Sequence, residues 1–94
     1  MRQIAHFPTD HATQYVATMA KHFGHKIPVE ITGEAALLRF DAGEGRLAPQ
    51  PGGIALSVEA ATAEDAAMLA DVLERHLLRF AHREDPVALV WAAE

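Results

Sequence analysis

Around His22-Phe23-Gly24-His25-Lys26 the spacing of apolar residues changes from that of a helix to that of a strand, and this switch does most to limit what the chain can fold into. Before it, from Ala12 on, Tyr15, Val16, Met19, Ala20 and Phe23 form the stripe of a helix with one buried face. After it, Ile27, Val29 and Ile31 alternate with Pro28, Glu30 and Thr32, the pattern of a half-buried strand, at an edge near its proline. Gly24 is expected to supply the left-handed residue of the helix C-cap, and Thr9 or Asp10 to cap its start. Lys21, His22, His25 and Lys26 gather at the helix end, where positive charge interacts favourably with unpaired carbonyls.

The rest of the chain repeats this alternation. Met1 to Phe7 suits a first strand that ends at Pro8. Thr32-Gly33-Glu34 turns into a strand over Ala35 to Asp41, with Leu38 and Phe40 on one face and Leu37 and Arg39 on the other. A second turn at Ala42 to Gly45 leads to a short strand around Arg46-Leu47-Ala48. Pro49-Gln50-Pro51-Gly52-Gly53 is expected to break the ladder as a mobile loop. Ile54, Leu56 and Val58 then alternate with Ala55, Ser57 and Glu59. Thr62-Ala63-Glu64-Asp65 opens the longest helix, from Ala63 to about His82, with Leu69, Leu73, His76 and Phe80 as its core stripe. His76 thus stands where an apolar residue is expected. Val87-Ala88-Leu89-Val90-Trp91 is apolar on both faces and reads as an interior strand.

These elements give the order β-α-β-β-β-β-α-β in a single α+β domain over residues 1–94. Short turns favour a largely antiparallel sheet with both helices on one face, a two-layer sandwich. The open face is expected to show Glu30, Thr32, Arg39, Ser57 and Glu59.

Composition excludes several function classes. The net charge of -5 repels phosphate backbones, and the eight Lys and Arg residues form no basic stripe, so nucleic-acid binding is disfavoured. No run approaches the roughly 20 apolar residues of a membrane span, and no signal sequence opens the chain, so a cytoplasmic location is expected. The absence of cysteine removes disulfides, thiol catalysis and Cys-based zinc sites. Any metal must be held by His, Asp or Glu.

At His22-Phe23-Gly24-His25-Lys26 with Val29-Glu30, and at His76-Leu77-Leu78-Arg79-Phe80-Ala81-His82-Arg83-Glu84 with Val90-Trp91, the chain resembles an uncharacterised bacterial family, the domain of unknown function numbered two-two-one-eight. The resemblance spans almost the whole chain. It implies no particular activity. Similar domains occur near or fused to siderophore-interacting flavin reductases, which implies iron handling by association and a flavin reductase or siderophore-interacting protein as partner.

The sharpest candidate site is His22, His25 and His76 as ligands of a zinc or iron ion or of a small molecule, since two helices on one sheet face would lie side by side. Set against it is a structural role, with His22 and His25 capping carbonyls and His76 bonded to a backbone group. Catalysis has less support. Ser57, the one serine, lacks a nucleophile elbow, and the carboxylate pairs Glu64-Asp65 and Glu84-Asp85 fall at helix ends. Gly43-Glu44-Gly45 and Gly52-Gly53 lack the strand-loop-helix context of phosphate-binding loops. Arg39, Arg75, Arg79 and Arg83 would make an anion site if they converged; the last three fit better as partners of Glu74 and Glu84. His6 and His11 have no identifiable partner, and Tyr15 and Trp91 read as core. A third class is an interaction module, with Leu37, Ala55 and Val90 on an open sheet face that forms a homodimer or docks on a reductase.

Overall fold

The computed structural model describes residues 1–94 and contains the expected elements in the expected order. They are β1 (Arg2–Pro8), α1 (Ala12–Gly24), β2 (Val29–Thr32), β3 (Ala35–Phe40), β4 (Gly43–Gln50), β5 (Gly53–Ala60), α2 (Ala63–Phe80) and β6 (Ala92–Ala93), with a short 3-10 turn at His82–Glu84. The strands form one antiparallel sheet in the order β2-β3-β4-β5-β1-β6.

The register shows why one face is the core. Leu38, Gly45 and Val58 lie opposite one another across three strands, and Ala36, Leu47, Leu56 and Ala5 form the next row. Each strand contributes every second residue to this face, so the helices have an apolar floor. Met19 of α1 and Leu73 and Leu77 of α2 are fully buried above it, in one cluster with Leu38, Leu47 and Ile54. Burying each such side chain stabilises by about 1.5–3 kcal/mol, which a domain of this size without cross-links needs.

Four local expectations are corrected. Gly24 is the last residue of α1 and has no positive φ; His25 follows it in right-handed geometry, and the amides of Lys26 and Ile27 close the helix end on the Phe23 carbonyl. At the other end, Thr9 accepts the His11 amide at 3.0 Å, one residue before the helix proper, and His11 takes the N-cap position without a side-chain bond. The segment from Pro49 to Gly53 does not interrupt the sheet. β4 runs through Pro49 and Gln50, and only Pro51 and Gly52 turn, with Gly52 at a φ of 85°, as a Pro-Gly turn of type II requires. Pro49 is tolerated because the pairing of β3 with β4 stops at Leu47, so its missing N–H faces no partner strand.

The last correction concerns Val87 to Trp91. It is extended but unpaired, Val87 and Val90 are more than 80% exposed, and only Ala92 and Ala93 pair with β1, at the sheet edge. Thr62 caps α2 as expected, accepting the Asp65 amide at 3.1 Å. The helix itself stops at Phe80, before His82.

Candidate functional site

α1 and α2 lie side by side in opposite senses, since Tyr15 meets Glu84 and His22 meets His76. His22 flanks the buried stripe of α1, and His76 follows Leu73 by one turn in α2, so both rings project into the seam between the helices. Their centroids are 5.0 Å apart with a tilt of 46°. Phe23 lies 4.8 Å from the His76 ring and Phe80 5.6 Å from the His22 ring, which gives the pair an aromatic setting.

The two imidazoles are prepared differently. His76 Nδ1 is 2.7 Å from the Val72 carbonyl; a carbonyl only accepts, so Nδ1 carries a proton, and Nε2 is the nitrogen that holds the lone pair whenever the ring is neutral. Neither nitrogen of His22 bonds to the protein. Burial holds its imidazole below the ordinary value of 6.5, and charge repulsion from the side of His76, Lys26, His25 and Arg79 pushes the same way. This favours the neutral form of the His22 ring, the form in which an imidazole ligates a metal.

The separation fits such ligation. A metal–nitrogen bond of about 2.1 Å plus about 1.1 Å to the ring centre puts two imidazoles bound at about 90–109° roughly 4.5–5.2 Å apart, centre to centre. Of the three histidines proposed together, His22 and His76 meet. His25 is exposed at the helix end, near enough to affect His22 electrostatically but outside the ring contacts. No group of three or more His, Asp or Glu side chains is arranged to hold a metal ion. The capping role also changes: backbone amides close the end of α1, and neither the His22 nor the His25 side chain bonds a carbonyl. His76 does bond a backbone group, as the structural reading expects.

Other sites come out differently from the sequence reading. Tyr15 and Thr9 both donate to Glu84 Oε2, Thr9 at 2.8 Å, and the His11 ring stacks edge-on against Tyr15 at 6.2 Å. The bond from Tyr15 is the largest influence holding the Glu84 carboxyl below its ordinary value, while the Tyr15 phenol is raised by the same bond. The residues involved are 75 and 69 positions apart in sequence, so only the pairing of the two helices brings them together. Glu74 pairs with no arginine; it accepts the Leu89 amide at 3.1 Å and the Trp91 indole N–H at 2.9 Å. His6 does have a partner, Gln50, at 2.7 Å.

The arginines do not converge. Arg39 bridges Glu30 and Glu44 on the open sheet face, and Arg75 pairs with Asp71. Arg79 and Arg83, on the helix side, make no ion pair. Leu37 and Ala55 do share the open face, Leu37 half-buried between Glu30 and Arg46 and Ala55 half-buried between Ala48 and His6, and Val90 is 85% exposed beside Ala55.

Residues 4–92 match the family described as "Uncharacterized protein conserved in bacteria (DUF2218)". The chain belongs to this family. Its DUF2218 match takes in both histidine segments, and the family description names no activity and no ligand. The fold is shared with PA4090 from Pseudomonas aeruginosa, solved by NMR, at a TM-score of 0.82 and 28% identity over 97% of this chain and 94% of that one. No curated protein matches this DUF2218 chain. None of its helices is long and apolar enough to cross a membrane.

Proposed function

We propose that this domain binds a ligand and does not transform one, and that the ligand is a transition metal held between the imidazoles of His22 and His76. The observation that carries this reading is the 5.0 Å approach of two rings from different helices, one with its tautomer fixed by Val72. A backbone carbonyl on the far nitrogen is the usual orienting partner of a ligating histidine. No nucleophile or carboxylate stands beside the pair to use a bound substrate. Imidazole suits iron as well as zinc, copper and nickel, so a role beside a flavin reductase or another siderophore-interacting protein accords with the site.

Zinc titration of untagged protein, followed through the imidazole nitrogen resonances, tests this. His22 and His76 should shift together and saturate, and His22→Ala or His76→Ala should abolish the shift at the surviving ring. If neither ring responds to millimolar zinc, the reading fails. If His25→Ala also abolishes binding, the exposed ring swings in as a third ligand. A second reading, pairing of two copies through the open sheet face, is supported by Val90 standing exposed over Ile4, Ala48 and Ala55. Sizing of wild type and Val90→Asp decides it, since a strict monomer in both rules it out.

A further inference from the structure

The His22–His76 pair supplies two donors, and its surroundings supply none. Zinc takes four ligands and nickel commonly six, so most of the coordination sphere must be filled by something other than this chain. No Asp or Glu joins the pair, and no three-ligand cluster exists anywhere in the molecule. The charges that do lie close are of one sign. Lys26 follows His22 by four residues and Arg79 follows His76 by three, and both make none of the chain's four ion pairs. His25 stands beside them on the end of α1. The acids of α2 lie elsewhere: Glu64 and Asp65 in its first turn, Asp71 on Arg75, and Glu74 on the C-terminal segment. Such a seam repels a bare divalent cation and attracts a negatively charged object.

From this juxtaposition of two free imidazoles with unpaired Lys26 and Arg79 we infer that the ligand is an anionic metal chelate with two adjacent open coordination positions, which His22 and His76 fill. The inference rests on the two-imidazole reading and adds the class of ligand. The chelator's carboxylates or phenolates lie toward Lys26 and Arg79, and its apolar parts toward Phe80. No covalent bond of the protein is made or broken; water leaves the metal as the imidazole nitrogens arrive.

Three nickel probes separate charge from coordination. Hexaaqua Ni(II) is cationic and open, Ni(II)–nitrilotriacetate is anionic with two adjacent open positions, and Ni(II)–EDTA is anionic and closed. Calorimetry on untagged protein near neutral pH and low salt should show the nitrilotriacetate complex binding one to one, at least about tenfold tighter than the aqua ion, with the EDTA complex not binding. The Lys26→Gln, Arg79→Gln double variant should remove that preference, its unfolding midpoint confirming an intact fold. His22→Ala should abolish binding of both open probes. If both bind equally and the double variant changes nothing, the chelate inference falls and the imidazole pair stands. If the EDTA complex binds as well as the nitrilotriacetate complex, the open positions are unused and the inference is overturned. If neither open probe binds, the underlying metal reading fails and takes this one with it.

Discussion

His76 shows how one side chain meets both a structural and a functional demand. Its ring covers Phe23 and its Nδ1–H is taken by Val72, so no fully buried polar atom is left unsatisfied at the seam. The Val72 carbonyl has another donor, the amide one helical turn on, and does not depend on the imidazole. Replacing the ring by leucine therefore removes a second hydrogen bond and adds apolar contact, two small effects of opposite sign. We expect His76→Leu to fold and to change stability in urea by less than about 1 kcal/mol, while abolishing metal binding. A loss of folding would mean that the ring is needed for the core and that its place in the site is incidental.

At the scale of elements, the strands and helices were legible wherever apolar period alone decides them. The alternation of Ile54, Leu56 and Val58 and the stripe of Leu69 and Leu73 are such cases, and both lie in the core. The misreadings fall where a neighbour decides. Pro49 is a strand residue only because β3 ends before reaching it. The apolar run from Val87 to Trp91 has strand composition, but the short turns already join β2 to β5 in order and β1 closes beside β5, so it finds only the outer edge of β1. What holds it is a carboxylate: Glu74 accepts from both Leu89 and Trp91, while Leu89 and Trp91 pack on the core cluster. Glu74→Ala removes both bonds and leaves an amide and an indole without acceptors. We expect a loss of about 1–2 kcal/mol, a red shift of Trp91 fluorescence and faster proteolysis between Asp85 and Trp91. An unchanged emission maximum and cleavage rate would show that packing alone retains the segment.

Across the whole molecule, the pairing of α1 with α2 sets both the site and the response to pH. The sequence shows which residues flank each stripe, hence His22 and His76, but not the offset of one helix along the other, hence neither Tyr15 beside Glu84 nor His25 apart from the pair. That offset leaves three groups whose proton affinity changes on folding. His22 titrates below 6.5 in the folded protein, so between that lower value and 6.5 the unfolded chain holds more protons, and stability falls as pH falls. Glu84 titrates below 4.5, so the same sign holds in a second, more acidic window, where the contribution of its bonds from Tyr15 and Thr9 is lost. Tyr15, raised above 10.0, contributes below that value and loses its contribution only in strong alkali. Urea unfolding from about pH 8 downward should thus show two declines in midpoint. His22→Ala should flatten the first alone. Tyr15→Phe should lower stability at neutral pH by about 1 kcal/mol and flatten the second. If His22→Ala leaves the first decline in place, then burial in the seam does not disfavour protonation of that ring and another group sets that decline.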